Sequence, residues 1–293
     1  MSVTGKPPDS WVKARRRVYR RDSREKLRAM SRRPLTVLAV AAVLVLGLAV
    51  GITAGLKSEN IAGRYCQKVF VPAYFGASGW PQVSGAKHMP SAMILNPSTG
   101  IGAGDGPNPA FQAAVRQARR AGIAVLGYSS TADGTRPAAQ ILADVRHYKA
   151  WYGVNGIFLD SVNGTSAEFH YYKRLSVYIH RVIPGASVWM NPGVYPERQY
   201  MSVSDILMVF EGTYAQYREA AVPSWARDYP ANRFANTIYG ASTSTQANSA
   251  ISMARSRNAG YVFVTNLSGA NPYNALPAYW SSEVTAITAG CGR

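Results

Sequence analysis

The sequence predicts an α/β chain: a closed (β/α)₈ barrel of TIM type, preceded by a single transmembrane helix. Three observations carry that expectation. After Lys68, eight short apolar runs alternate with helical patterns. Nearly all of those runs end on a polar or aromatic residue, and two end on carboxylates. Ahead of them, an arginine-rich start meets a run of 22 residues without a charge.

The chain has 293 residues, enough for one large domain plus an appendage. Residues before Leu35 carry 12 Lys and Arg against 3 Asp and Glu, whereas the rest carries 20 against 12, a net charge of +8. Clustered arginines such as those from Lys13 to Arg28 could neutralise nucleic-acid phosphates. The next stretch argues for a membrane instead. Leu35 to Leu56, at about 1.5 Å per residue, reaches about 33 Å as a helix, which spans a bilayer. Arginines on one flank stay cytoplasmic, so the chain beyond Leu56 is expected outside. The expected plan is a basic cytoplasmic tail over 1–34, the span over 35–56, a linker over 57–67 and the barrel over 68–293. A cleaved signal peptide has a shorter apolar region, about 7 to 15 residues, so an anchor is favoured. Gly47, Gly51 and Gly55 share one helix face and could let two spans approach, giving weak dimerisation; glycine is also common in membrane helices.

Two cysteines occur, Cys66 and Cys291, both on the expected exported side. A disulfide between them would tie the ends of the outer domain, with free buried thiols as the alternative. No Cys or His clusters at ligand spacing, since His88, His147, His170 and His180 are scattered, so no metal site is expected. No GxGxxG or GxxxxGK[ST] follows a strand. Nucleotide binding has no support in the sequence.

The eight apolar runs fall at 68–75, 91–97, 124–130, 156–162, 187–193, 205–212, 233–240 and 261–267. Amphipathic patterns lie between most of them. In Pro109 to Ala121, Phe111, Val115 and Ala118 fall on one face and Arg116, Arg119 and Arg120 elsewhere; Ile141, Val145, Tyr148 and Tyr152 mark another helix. Gly122, Gly185 and Gly260 are expected helix stops. Eight such units in the 226 residues from Lys68 fit a closed barrel better than an open, doubly wound sheet.

In such a barrel the site lies where the strands end. The expected rim is Tyr74, Asn96, Tyr128 with Ser130, Asp160, Asn191, Glu211, Tyr239, and Thr265 with Asn266. The runs GIFLD and DILMVFEG each deliver a carboxylate, Asp160 or Glu211, to that rim, as acid/base chemistry requires. Either could instead be a structural carboxylate satisfied by amides or an Arg. The remaining Tyr, Asn and Thr suit a neutral polyhydroxylated ligand, whose hydroxyls need donors and acceptors and whose faces rest on aromatic rings. Trp80, Tyr214 and Trp225 could widen that platform or belong to packed loops.

The segments VPAYF, SGW, NPSTG, AGIAVLGYSST, GTRP, WYGVNGIFLD, MNPG, VFEGTY, PSW, NAGYVFVT and NPYNALPAYW, in order from about residue 69 to 281, resemble the spherulin-four-like (spherulation-specific family four) proteins. Members of that family are (β/α)₈ glycoside hydrolases. Characterised fungal ones act as endo-hydrolases on galactosaminogalactan, a polymer of galactose and N-acetylgalactosamine, and the resemblance implies that activity class. Asp160 matches the aspartate ending the family's fourth strand, and Glu211 the glutamate of its VFEG segment. Ser161 departs from the pattern, because the family usually has a glutamate directly after that aspartate. If the strand continues through position 161, only one of the two neighbours can project over the mouth.

The expectation is therefore an extracytoplasmic, membrane-anchored glycoside hydrolase with Asp160 and Glu211 as its catalytic pair. Tyr74, Asn96, Tyr128, Ser130, Asn191, Tyr239, Thr265 and Trp225 are the expected substrate contacts. The chemistry requires no cofactor. Its expected partners are a polysaccharide and, through Leu35 to Leu56, the membrane, with no nucleic acid. Two other readings share the sequence. One is a glycan-binding barrel without catalysis, for which Ser161 is the argument; the other is an envelope scaffold, for which the basic outer domain counts.

Overall fold

The computed structural model describes residues 65–85, 90–97, 100–101, 106–289 and 291. Leu35 to Leu56, with its three glycines, and His88 lie outside the described residues. Among the described residues no helix is long and apolar enough to cross a membrane.

Eight strands form one closed, all-parallel barrel in sequence order. They are β1 (Lys68–Ala73), β2 (Ala92–Leu95), β3 (Ala124–Ser130), β4 (Gly156–Asp160), β5 (Ser187–Met190), β6 (Ile206–Thr213), β7 (Phe234–Tyr239) and β8 (Tyr261–Val264). Closure is made by β1 against β8, with Lys68 opposite Tyr261 and Val69 opposite Val262. Seven of the expected runs contain their strands; β6 extends one residue past the run 205–212, to Thr213, and the run 187–193 leaves the sheet after Met190. All strands are buried on both faces, which is why they read as continuous apolar runs.

Seven α-helices are described: α1 (Trp80–Ser84), α2 (Pro109–Arg120), α3 (Ala138–His147), α4 (Phe169–Val182), α5 (Tyr214–Glu219), α6 (Ser244–Ser256) and α7 (Trp280–Thr288). The fifth crossover has only a 3₁₀ turn, Arg198–Ser202, in place of an α-helix. Asn108 caps α2 by accepting from the amides of Ala110 and Phe111, and Pro109 supplies the fixed φ of the first turn. After α3 the chain continues as a π-turn over Tyr148–Tyr152 and stops at Gly153, whose φ is 60°. Gly122 and Gly185 take the left-handed conformation expected of helix stops, but after α6 Asn258 takes it instead of Gly260. Gly260 is needed for closeness: a Cβ there would stand 2.5 Å from the Ala231 carbonyl oxygen.

Cys66, just before β1, and Cys291, after α7, form a disulfide with a sequence separation of 225 residues. The bond ties the two ends of the barrel domain on the side where strands begin, opposite the mouth.

Candidate active site

Strand alternation decides which side chains reach the mouth. On β4, Phe158 and Asp160 share the inward face: the Phe158 ring stacks on Tyr128 with centroids 6.4 Å apart, and the Tyr128 hydroxyl donates to Asp160 Oδ2 at 2.9 Å. On β6 simple alternation would send Met208 and Phe210 the same way. The register against β7 shifts between them, however, so that Met208 opposes Ala235 while Phe210 opposes Asn236. Phe210 then turns outward onto Tyr217 of α5, where Asn236 also donates to the Tyr217 hydroxyl at 2.7 Å. The irregularity at Val209 thereby aims Glu211 inward, the re-aiming role bulges serve near sites.

Asn191, the first residue after β5 and its neighbour Met190, joins the two acids. Its Nδ2 donates to Asp160 Oδ1 at 2.7 Å and to Glu211 Oε2 at 2.6 Å. Its Oδ1 is occupied by the Gly193 amide at 2.9 Å, and the Gly193 carbonyl in turn accepts from the Glu211 amide at 3.1 Å. One tight turn therefore fixes the amide's orientation and the backbone of the second acid together. Because both bonds leave one nitrogen, the two bonded carboxylate oxygens are separated by roughly 5 Å at most. The remaining oxygen of Glu211, Oε1, accepts from the Tyr273 hydroxyl at 3.1 Å.

Tyrosine rings wall this pair. Tyr74, one residue beyond β1, meets Tyr128 and Tyr273 edge-on at centroid distances of 5.5 and 5.6 Å. Burial first, then the Asp160 charge, pushes the Tyr74 hydroxyl well above its ordinary value; the same two causes push Tyr128 up, with its bond to Asp160 adding to them. Both remain neutral hydroxyls, and Tyr128 remains a donor to Asp160, through the physiological range. Asp160 itself is 4% exposed, whereas Glu211 is half-buried and nearer to solvent.

The other expected rim residues are placed differently. Ser130, ending β3, sits beside Tyr128, and its Oγ accepts from the Ala132 amide at 3.3 Å. Tyr239 ends β7 opposite Thr213 and is half-buried. Asn96 pins its own loop, accepting from the Gly100 amide at 2.6 Å. Thr265 is fully buried and accepts from the Leu267 amide at 3.1 Å, while Asn266 accepts from Ala278 at 2.8 Å; both brace the loop after β8. Trp225 is not brought to the mouth. It packs with Tyr195, Tyr229 and Phe234, and Phe234 belongs with Asn236 to the outward-facing set of β7, so the indole lies on the outer wall. Trp80 is buried against Phe111 in the core and Tyr214 opens α5.

Tyr273 is the functional candidate that strand-end reasoning misses, because it arrives on a loop nine residues beyond β8. The signal for it lies in the NPYNALPAYW segment, not in any strand. Ser161 has φ 52°, so the strand ends at Asp160 and the alternation argument does not reach position 161. Its carbonyl accepts from the Asp133 amide at 2.8 Å and from Thr131 Oγ1 at 2.6 Å.

A parallel eight-stranded barrel with paired, amide-bridged carboxylates at its C-terminal mouth is the architecture of a glycoside hydrolase-like (β/α)₈ domain. Within that class the chain belongs to the spherulation-specific family 4, whose model matches residues 68–287. Spherulin-4 of Physarum polycephalum is 26% identical over 234 residues, covering 76% of this chain and 70% of that protein. Among solved structures, Aspergillus clavatus Sph3 in complex with GalNAc superimposes with a TM-score of 0.67 at 22% identity, over 76% of this chain and 98% of that one. A chitinase from Chromobacterium violaceum superimposes with a TM-score of 0.52 at 12% identity, over 78% of this chain and all of that one.

Proposed function

We propose that this protein is a glycoside hydrolase that cleaves an amino-sugar-containing, galactosaminogalactan-like polysaccharide by carboxylate catalysis with retention. In this reading it acts outside the cell, held to the membrane through Leu35 to Leu56. The observation that carries the reading is the pair Asp160 and Glu211, held by one Asn191 amide with the bonded oxygens no more than roughly 5 Å apart. That spacing supports a retaining geometry, since inversion needs about 6.5 to 9.5 Å to seat a water between acid and sugar. The amino-sugar assignment is supported by family membership and by the GalNAc bound to Sph3. A net charge of +8 from Leu35 onward disfavours a strongly cationic, deacetylated polymer.

The roles follow from surroundings. Both acids accept at both oxygens, Asp160 from Tyr128 and Asn191 and Glu211 from Asn191 and Tyr273, so burial separates them: the enclosed Asp160 suits a fixed carboxylate nucleophile. Glu211 is nearer to solvent and suits the acid. It protonates the glycosidic oxygen as the bond to the anomeric carbon breaks and Asp160 attacks that carbon. Water then hydrolyses the glycosyl ester, with Glu211 taking the water's proton back. The tyrosine walls give the sugar faces a place to rest.

Activity is measured as reducing ends released from acetylated and deacetylated galactosaminogalactan beside unrelated polysaccharides. Asp160→Asn and Glu211→Gln are each expected to lower the rate by about 10² to 10⁴ with the melting temperature held, and the first anomer released is expected to be the substrate's own. The second reading is a glycan receptor, favoured by Ser161. It replaces the first if wild type binds oligosaccharide, releases no reducing ends from any polymer, and Ser161→Glu does.

A further inference from the structure

A groove of about 580 Å³ runs along the outer wall between α3 and α4, away from the barrel mouth. Its charge is one-sided. His170, Lys173, Arg174 and Arg181 line it from α4, and Phe169–Val182 contains no acidic residue. These positions recur at helical spacing on the exposed face, whose core-side counterparts Tyr172, Leu175 and Ile179 are buried. The neighbouring acid, Glu168, is turned towards Gly134: a Cβ on that glycine would lie 2.8 Å from Glu168 Oε2. Asp205 faces His180, at 3.5 Å, and Asp144 is held by Arg136 at 2.7 Å. The centre of the groove is apolar, with Val177 61% exposed beside Leu142 and Tyr178, over whose ring Arg181 lies at 5.5 Å.

An exposed valine between unneutralised cations calls for a partner that is acidic along its length and carbon-rich between its charges. The chain's own N-terminal segment carries 12 cations against 3 acids and would be repelled, as would the same face of a second copy. From Lys173 to Arg181 the cations span about 12 Å along one helix, a narrow strip that fits a linear chain better than a planar surface. We infer that the α3–α4 groove is a second polysaccharide site, distinct from the mouth, that holds an acidic linear polysaccharide: carboxylates on Lys173, Arg174 and Arg181, and sugar C–H faces on Val177 and Leu142. The site does not depend on hydrolysis at the barrel mouth. It would retain the domain in an acidic matrix while the mouth works on a different polymer.

The test uses the full chain in neutral detergent micelles, with fluorescein-labelled polygalacturonate followed by anisotropy from 50 to 300 mM salt. The combined Lys173→Gln, Arg174→Gln and Arg181→Gln variant is expected to bind at least about tenfold more weakly and with a flatter salt dependence. A control neutralising Arg116, Arg119 and Arg120 on α2 removes the same charge elsewhere and is expected to stay within about twofold. Carbodiimide coupling of the bound polymer is expected to modify Lys173, and Val177→Asp to weaken binding while the melting temperature holds. Equal losses in both triple variants, or coupling confined to the N-terminal lysines, would show attraction by net charge or by the basic tail and would overturn the site. Tighter binding to anionic phospholipid vesicles than to the polymer, lost in the α4 variant, would reassign the groove to a membrane surface.

Discussion

Removing the Asn191 side chain is the sharpest probe of the paired carboxylates, because a single nitrogen holds both. Asn191→Ala deletes two charge-assisted bonds, at 2.7 and 2.6 Å, each of a kind that contributes about 1.5 to 3 kcal/mol. It also removes the donor shared by two carboxylates whose bonded oxygens lie within roughly 5 Å; at an effective dielectric constant of about 20 their repulsion at that spacing, when both are charged, is about 3 kcal/mol. Either term is enough to swing one acid out of line by an ångström, which costs about 10² in rate even where the chemistry is untouched. The expected outcome is a fall in kcat/KM of about 10² to 10⁴, carried mainly by kcat, because Asn191 holds the acids and its amide is already committed to them. The assay is reducing-end release, with a melting curve and near-UV circular dichroism to show that the barrel is intact. Asn191→Ala activity within about threefold of wild type would refute the view that the amide sets the catalytic geometry.

Two further outcomes concern stability. Breaking the Cys66–Cys291 bond, by Cys→Ser at both positions, releases a loop of 225 residues; the chain-entropy model puts the loss at about 5 kcal/mol, or about 10 to 20 °C in Tm. An unchanged Tm on reduction would mean that the ends are already held by packing. Glu283 of α7 is buried, accepts from the Val264 amide at 2.7 Å, and has its second oxygen without a hydrogen-bond partner among the described residues. Burial raises its carboxyl well above the ordinary value, against the smaller opposing effect of the Val264 amide. The folded state therefore holds this proton more tightly than the unfolded chain, and stability is lost as pH rises from the unfolded carboxyl value through the folded one. Glu283→Gln keeps the acceptor and removes the charge, so it should melt higher than wild type at pH 8 and differ little at pH 4; parallel Tm curves across that range would refute the assignment.

Legibility in the sequence follows burial. Strands wholly enclosed between a barrel interior and a layer of helices must be apolar on both faces, so all eight announce themselves, and an acid ending such a run, as Asp160 does, stands out. Glu211 was visible for the same reason, although its inward aim depends on the irregularity at Val209, which no composition signal marks. The disulfide was legible because a barrel brings both chain ends to its floor. The missing fifth α-helix was not, since the stretch from Pro192 to Ser204 has helical and loop residues in equal measure. Rim residues sort by what their neighbours leave free. Asn96, Thr265 and Asn191 sit at strand ends and all give an acceptor oxygen to an amide of their own loop; Asn191 differs because its Nδ2 then faces two acids, a fact of turn geometry rather than residue type. Tyr273 and Trp225 fail in opposite directions for one reason: a loop's path decides whether an aromatic reaches the mouth or the outer wall, and periodicity does not encode the path.

Ser161 stands where the family resemblance leads one to expect a glutamate, and the local backbone shows how that position is held. A non-glycine residue at φ 52° is uncommon, and this one is held from outside: its carbonyl takes hydrogen bonds from Thr131 and Asp133, both on the loop after β3. Thr131 also reaches the Asp160 carbonyl at 3.0 Å and the Tyr172 hydroxyl at 2.9 Å. The turn that ends β4 is therefore fixed by its neighbour's loop through main-chain atoms, and the side chain at 161 takes no part in the fixing. Asp160 keeps its two oxygens on Tyr128 and Asn191, neither bond involving the side chain at 161. The hydrogen bonds that join Asp160 and Glu211 through Asn191 therefore do not depend on the residue at 161.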